Sequence, residues 1–328
     1  VRYFLTGATG FLGGALARRL RRDGHQVSAV VRSPDQAAGL ASIGVALHRG
    51  DVTDKASMRA PMTGVDGVFH VAGWYKIGLR DRETAAAVNI DGTRHVLELM
   101  RELGIPKGVY TSTLAVNSDT RGQVVDEDFR FTGRHISLYD ETKADAHRLG
   151  ERFIAEGLPL VIVQPGLIYG PGDTSSVGVM FRRYLQRKLP IIPAGSAFSW
   201  AYVDDEAAGH LLAMERGQVG RNYFLAGPVH TIVDALAIAE SITGIPAPRI
   251  RMPRGAMQAT ASLVGLFDRW VPLPPEYTAE GLRVAGGVTY LGTATRAERE
   301  LGWTPRPLRE GLATTLQHEM QLLGMKRS

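Results

Sequence analysis

The chain has 328 residues, 44% hydrophobic and 22% charged, an ordinary globular composition that excludes collagen-like, disordered and coiled-coil chains and allows a nucleotide-binding layer structure with an appended lobe. Zero cysteines exclude disulfides, thiolate metal sites and cysteine nucleophiles, and the nine histidines take no metal-ligand spacing, so no metal is expected. The net charge of +5 arises from 38 basic residues scattered among 33 acidic ones, and the longest charge-free stretch, Gly157 to Gly172, is broken by Pro159 and Pro165, so neither a nucleic acid nor a membrane is an expected partner and the expected location is the cytoplasm.

The first strand, Tyr3 to Thr6, runs into Thr6-Gly7-Ala8-Thr9-Gly10-Phe11-Leu12-Gly13 and a helix over Leu12 to Arg22. A tight turn needs Gly7, approach of a pyrophosphate to the backbone needs Gly10, and close helix packing needs Gly13, while the helix start supplies free amides. The loop therefore suits an anionic dinucleotide. The second strand, Val27 to Val31, ends at Arg32-Ser33, where an NAD-binding chain would carry an acidic residue against the ribose 2′-hydroxyl. Arg32 in its place can clamp a 2′-phosphate, which favours NADP(H) over NAD(H). The alternative is a solvated Arg32 with Asp35 on the ribose.

The third strand, Val45 to His48, leads to Asp51-Val52, placed to hold adenine. Val68 to Val71, Val109 to Thr113 and Leu160 to Val163 read as further buried strands, with helices over Thr84 to Leu103 and Tyr139 to Ala155 between them. Such alternation implies a doubly wound parallel α/β sheet of Rossmann type. After Pro165 the rhythm breaks up. Ala201 to Val203 and Asn222 to Leu225 read as strands returning to the sheet around a helix over Asp205 to Arg216. Ile232 to Thr243, Gly255 to Trp270 and Pro307 to Leu323 read as helices, and Thr295 with Glu298 as a capping box. Residues 1–165 with 198–227 would form the dinucleotide-binding domain, and 166–197 with 228–328 a smaller, mainly helical substrate lobe.

Tyr139 and Lys143 lie four residues apart and project from one helix face. A phenol is a poor acid or base at neutral pH, and a neighbouring ammonium would draw it toward the working range. Thr113, in Tyr110-Thr111-Ser112-Thr113 at a strand end, could donate to the same substrate oxygen. The three groups suit hydride transfer at a carbinol or carbonyl carbon.

Together with His70-Val71-Ala72-Gly73, Asn89 in Val88-Asn89-Ile90-Asp91-Gly92-Thr93, Pro165-Gly166-Leu167-Ile168-Tyr169-Gly170, Tyr202-Val203-Asp204-Asp205 and Arg299-Glu300-Leu301-Gly302-Trp303, these elements resemble the extended branch of the short-chain dehydrogenase/reductase superfamily over essentially the whole chain. The resemblance implies Tyr139 as general acid/base, Lys143 as its electrostatic partner and ribose ligand, and Thr113 as the third hydroxyl, with Ser112 as a fallback. It also implies a cofactor site of Gly7, Thr9, Gly10, Phe11, Leu12, Gly13, Arg32, Asp51, Val52, Val71, Ala72, Gly73, Thr111, Ser112, Tyr139, Lys143, Pro165, Gly166 and Ile168. A homodimer through a four-helix interface of the Thr84 to Leu103 and Tyr139 to Ala155 helices is implied as well.

Nucleotide-sugar epimerases of this branch commonly carry an arginine before the sixth-strand proline and an Arg-Asp pair before the Tyr-Val-Asp-Asp element. This chain has Gln164-Pro165 and Phe198-Ser199-Trp200-Ala201 instead. Trp74, Tyr75, Thr113 and Trp200 are the candidate substrate contacts, and the aromatic set suggests an uncharged, hydrophobic small molecule. The nearest resemblance is to dihydroflavonol-reductase-like and 3β-hydroxysteroid-dehydrogenase-like members. That implies an NADP(H)-dependent reductase of a ketone or aldehyde, with a sugar-nucleotide epimerase or dehydratase and a non-catalytic NADPH sensor as alternatives.

Overall fold

The computed structural model describes residues 1–76, 78, 81–268, 273 and 278–325. Among them run thirteen strands: β1 (Arg2–Thr6), β2 (Gln26–Val31), β3 (Ala46–Arg49), β4 (Gly67–His70), β5 (Gly108–Thr111), β6 (Leu160–Pro165), β7 (Leu167–Tyr169), β8 (Ile191–Pro193), β9 (Ala197–Tyr202), β10 (Asn222–Leu225), β11 (Val229–Thr231), β12 (Ile250–Met252) and β13 (Thr289–Tyr290). Seven form a parallel sheet in the order β10-β6-β5-β4-β1-β2-β3. The order reverses between β1 and β4, so their C-terminal ends flank the crevice in which doubly wound sheets bind ligands. Every residue of β4, β5 and β6 is buried. Helices on both faces cause this, and it explains why those strands read as continuous apolar runs rather than alternating ones.

The Phe11–Arg22 and Val203–Arg216 helices cover one face, in a core with Leu16, Leu20, Val163, Leu211 and Phe224. The Gly92–Glu102 and Leu138–Ala155 helices cover the other, around Leu97, Met100, Tyr110, Leu149 and Ile162. A third core under the C-terminal lobe collects Tyr169, Phe181, Trp200, Leu236 and Leu312. Two of the family-like motifs, around Asp205 and Trp303, meet beside the first core: Trp303 Nε1 donates to the Asp205 carbonyl at 2.7 Å, and Arg306 forks onto the Asp205 carboxylate at 2.6 and 2.8 Å.

Several local readings need correction. The segment read as a strand over Ala201 to Val203 does not rejoin the large sheet; β9 pairs with β7, β11 and β13 in a second sheet, and Val203 opens a helix. The C-terminal lobe thus carries small sheets as well as helices. Thr295 and Glu298 do not form a capping box, because Ala294 is the N-cap and Thr295 Oγ1 pairs with Thr293 Oγ1. The reciprocal cap instead sits at Thr231 and Asp234. The helix read to Trp270 spans Arg254–Val264, and Trp270 lies outside the described residues. Among the described residues no helix is long and apolar enough to cross a membrane.

Candidate active site

The glycine loop is shaped by contacts that leave no room for side chains. Gly7 has φ +74°, and a Cβ there would stand 2.7 Å from the Ala72 backbone nitrogen. A Cβ at Gly13 would overlap the Gly7 carbonyl oxygen. The Phe11–Arg22 helix that follows has Gly10 as N-cap, no side-chain cap and no acidic residue in its first turn. Its opening amides therefore have no side-chain acceptor, which suits an anion, and the cradle fits a dinucleotide pyrophosphate. Thr9 is exposed on this loop, Leu12 is buried, and Phe11 and Ile168 pack against the core beside it.

Below the loop, a buried polar chain joins β1, β4 and the opposite helix layer. Thr6 Oγ1 accepts from the amides of Val71 and Ala72, both at 3.1 Å, and lies 2.8 Å from His70 Nδ1. His70 Nε2 is 2.9 Å from Thr93 Oγ1, which donates to the Asn89 carbonyl at 2.6 Å. These donors set the tautomer: Nε2 carries the proton and Nδ1 accepts. Burial, with the Lys143 charge adding to it, pushes His70 down to about 3, so the ring is neutral. Sequence reasoning assigned His70 no role; its place in the segment with Val71, Ala72 and Gly73 was the available signal.

The Thr84 to Leu103 helix is interrupted where Asn89 stands. Arg82–Ala86 is α-helical, Ala87–Asp91 is a π-turn, and Gly92–Glu102 resumes the α-helix. The widened turn brings Asn89 inward, where it is fully buried: Oδ1 accepts from the Trp74 amide at 2.7 Å, and Nδ2 donates to the Trp74 carbonyl at 3.1 Å and Thr142 Oγ1 at 2.9 Å. Such bulges often mark functional sites. Here the bulge pins the Val71-Ala72-Gly73-Trp74 segment to the helix that carries Tyr139. A Cβ on Gly73 would stand 3.4 Å from Asn89 Oδ1 and 3.8 Å from Lys143 Nζ.

Tyr139, Lys143 and Thr113 come together at the end of β5. Ser137 caps the Leu138–Ala155 helix, accepting from the Asp140 amide at 3.1 Å. Thr113 caps the short turn Leu114–Asn117, and its side chain also hydrogen-bonds Tyr139. Lys143 is buried and donates to the Thr111 carbonyl at 2.9 Å and Tyr110 Oη at 3.3 Å. Burial drops Lys143 to about 7, and burial pushes Tyr139 up to about 12 against the opposing Thr113 bond. The expectation that the lysine draws the phenol toward neutral pH is therefore not met in this structure, because the amine faces Thr111 and Tyr110. Ser112 Oγ is engaged 2.9 Å from His147 Nδ1, and Thr111 Oγ1 lies 2.9 Å from His210 Nε2. Thr113, not Ser112, is the hydroxyl paired with Tyr139.

At the far end of the crevice Arg32 is 86% exposed, with Nε 3.9 Å from Asp51 Oδ2. Asp51 Oδ1 accepts from Thr53, and Val52 packs near Gly92 while its carbonyl accepts from His95 Nδ1 at 2.9 Å. Arg49, which sequence reasoning passed over, pairs in register with Val31 and donates to the Arg32 carbonyl at 3.5 Å. Two guanidinium groups therefore stand at the ends of β2 and β3. Pro165 closes β6, and Gly166 follows with its amide on the Leu225 carbonyl at 3.1 Å.

The aromatic candidates divide. Trp74 joins Ala85 and Leu138 in a small apolar cluster against which Tyr139 packs, and Tyr75 is 58% exposed. Trp200 is a correction: it is 1% exposed, its indole N–H is taken by the His230 carbonyl at 3.0 Å, and Tyr169 packs edge-on against it. It is lobe core. Phe198, two positions back on the same face of β9, is half-buried at the edge of that core, with its ring 6.5 Å from Trp200 and 6.0 Å from the Tyr290 ring.

The family model for the NAD dependent epimerase/dehydratase family matches residues 3–226. A putative dihydroflavonol 4-reductase from Synechocystis sp. is 31% identical over 95% of this chain and 92% of its own length. Sterol demethylase protein B from Methylococcus capsulatus is 31% identical over 94% of this chain and 95% of its own length. Among solved structures, that of gox2253 superposes with a TM-score of 0.85 at 29% identity, covering 99% of both chains. UDP-glucuronic acid 4-epimerase from Bacillus cereus, in complex with UDP-glucuronic acid and NAD, reaches 0.76 at 20% identity, covering 98% of this chain and all of that one, a likeness of fold alone. With most of its length matched by the family model and by relatives of nearly equal length, the chain belongs to the NAD-dependent epimerase/dehydratase family, the extended branch of the short-chain dehydrogenases/reductases.

Proposed function

We propose that the chain reduces a ketone or aldehyde on a hydrophobic substrate with NADP(H), working reversibly as an alcohol dehydrogenase. The observation that carries this reading is the meeting of Tyr139 and Thr113 at the end of β5, with buried Lys143 one helical turn from Tyr139 and its Nζ beside Gly73. NADPH, with its pyrophosphate on the glycine cradle, would supply the hydride that the carbonyl carbon gains. Tyr139 gives its proton to the carbonyl oxygen, which takes up the carbonyl π pair as its new O–H bond, and the phenol is reprotonated from solvent. A phenol held well above neutral pH is fully protonated and ready for that step. Thr113 orients the same oxygen. Protonated Lys143, with two donors on the Thr111 carbonyl and Tyr110 Oη, keeps a third to offer a ribose hydroxyl.

Three features support a reductase over a sugar-nucleotide epimerase. Gln164 replaces an arginine and is itself only 2% exposed, so it presents no cation to a diphosphate. Trp74 brings apolar surface beside Tyr139, and Phe198 lies against Tyr290, whose hydroxyl bonds the residue after Tyr139. The relatives include proteins named as reductases, the dihydroflavonol reductase and a 2-alkyl-3-oxoalkanoate reductase from Stenotrophomonas maltophilia among them. Arg32 and Arg49 at the ribose end support NADP(H).

The test is NADPH consumption across aromatic aldehydes, alicyclic ketones, steroids and flavonoid ketones, with NADH and Tyr139→Phe as controls. Turnover that depends on Tyr139 and prefers NADPH is the expected result. Interconversion of nucleotide sugars without net NADPH loss would overturn it, and turnover retained by Tyr139→Phe would remove the tyrosine from its role.

A further inference from the structure

Tyr110 stands in β5, one residue before the carbonyl of Thr111 to which Lys143 donates, and it is fully buried. Its hydroxyl oxygen is 3.3 Å from Lys143 Nζ, and the same amine lies 4.9 Å from the centre of its ring. Packing alone asks for no hydroxyl in a buried strand, and one is tolerated there only when it is bonded. Where the Tyr110 proton goes therefore decides what the amine meets. The bonds around it leave one arrangement. Thr93 Oγ1 lies 2.6 Å from the Asn89 carbonyl, which has no proton to give, so Thr93 is the donor. With its one proton committed, Thr93 accepts from its other two partners, His70 Nε2 at 2.9 Å and the Tyr110 hydroxyl. Thr6 Oγ1, already accepting from the Val71 and Ala72 amides, donates to His70 Nδ1 at 2.8 Å, which keeps the His70 proton on Nε2. Tyr110 thus gives its proton to Thr93 and turns lone pairs toward Lys143. The His70 ring stacks on the Tyr110 ring, with centroids 5.4 Å apart and planes within 19°, and fixes it in place.

We propose that Tyr110 is a positioning residue for Lys143: its hydroxyl, oriented by Thr93, shows the amine lone pairs only, and so holds it as an ammonium at the end of β5 with its third N–H left for a cofactor ribose. This rests on Lys143 as the ribose ligand of the proposed cofactor site. An ammonium has three protons to place and a neutral amine has a lone pair to fill. Two acceptors, the Thr111 carbonyl and Tyr110 Oη, serve the first form, and the committed Tyr110 proton is withheld from the second. Among the described residues Lys143 has no ion-pair partner, so these neutral acceptors carry the charge. The titratable groups around it are few. His70, on β4, is neutral; Tyr139 stands one turn earlier on the same helix and is protonated; and His147, one turn later, is engaged by Ser112. Burial drops Lys143 to about 7, so ammonium and amine are near balance at neutral pH, and the loss of one acceptor changes their ratio directly.

The experiment is carbon NMR of the full chain labelled at lysine Cε, without cofactor, with the Lys143 signal assigned by its loss in Lys143→Met and followed through neutral pH. Tyr110→Phe keeps the ring and removes the acceptor. It should lower the Lys143 midpoint by about half a pH unit, about threefold less ammonium at a given pH above the midpoint. A hydroxyl that merely fills space acts in the opposite direction, because its loss admits water beside the amine and raises the midpoint. A rise or an unmoved midpoint therefore overturns the proposal. Thr93→Val takes away the acceptor of the Tyr110 proton and frees that proton to point at the amine, so the midpoint should fall at least as far; Thr93→Ser keeps the hydroxyl and should restore the wild-type value. An equal fall in both Thr93 variants overturns the orienting role. If Tyr110→Phe does not fold, the Thr93 pair carries the same readout, and an unmoved midpoint in Thr93→Val overturns the proposal. NADPH titration then tests the ribose link: the affinity lost in Tyr110→Phe should be about threefold one pH unit above the wild-type midpoint and close to nothing one unit below it, and a loss that does not grow with pH overturns that link. The NMR needs neither cofactor nor substrate. A wild-type chain that fails to bind NADPH or to reduce any carbonyl thus defeats the proposed function and leaves the hold of Tyr110 on Lys143 separately decided.

Discussion

Replacing Asn89 by alanine tests whether the π-turn serves the site or is incidental to the helix. Asn89 is fully buried and makes three side-chain hydrogen bonds, two to the Trp74 backbone and one to Thr142. The alanine leaves the Trp74 amide and carbonyl without these partners, each at a cost of about 1–3 kcal/mol, reduced where a water enters the vacated space. A net loss of about 3 kcal/mol is reasonable. At about 2.1 cal/mol/K per residue, a chain of 328 residues unfolds with roughly 0.7 kcal/mol/K, so the melting temperature should fall by about 4 °C. Turnover should fall further than stability suggests, by about one to two orders of magnitude, because Trp74 packs against Tyr139 and Gly73 lies beside Lys143. Calorimetry of Asn89→Ala, Thr142→Val and the double variant gives the coupling through the shared bond, about 1 kcal/mol. A melting temperature within about 1 °C of wild type, with turnover intact, would show that the π-turn supports neither stability nor the site.

Arg32→Ala and Arg49→Ala should each weaken NADPH binding by about tenfold, the low end for charge-assisted bonds at so exposed a place, and leave NADH binding alone; equal losses for both cofactors would refute a 2′-phosphate clamp. Lys143 titrates near 7 when folded, against about 10.4 for an unfolded lysine. Between those values the unfolded chain binds a proton that the folded chain lacks, so stability without cofactor should rise with pH from about 7 to 10.4, and below 7 the full cost of burying the charge applies. Urea denaturation of wild type and Lys143→Met isolates this, since the stability of wild type relative to the variant should rise from pH 7 upward; a difference flat in pH contradicts it. Sedimentation at micromolar concentration should show a homodimer, joined through the Gly92–Glu102 and Leu138–Ala155 helices, and a strict monomer would refute that pairing.

The parts of this site that could be read before folding are those whose chemistry is local to the chain. Gly7, Gly10 and Gly13 sit between one strand and one helix, and Tyr139 and Lys143 share a helix face, so spacing alone brings them into register. What spacing leaves open is decided by contacts between distant segments. In Phe198-Ser199-Trp200-Ala201-Tyr202 alternation puts Phe198, Trp200 and Tyr202 on one face, but only the packing of the lobe on the second sheet determines that this face is core, with Phe198 at its edge beside Tyr290. The 3.6-residue rhythm continues through Ala87–Asp91, so the inserted residue of the π-turn has no periodic signature; it is stabilised by Trp74 and Thr142, neither of them near Asn89 in sequence. Electrostatics are more remote still. A lysine one turn from a tyrosine suggests an ammonium lowering a phenol's pKa, whereas burial dominates both groups and moves them apart, the amine to about 7 and the phenol to about 12. Asp140 shows the same limit from the other side. As a sequence feature it is the third residue of a capped helix, and it becomes a buried carboxyl only because Tyr290, 150 residues on, closes over it with a hydrogen bond to Oδ2.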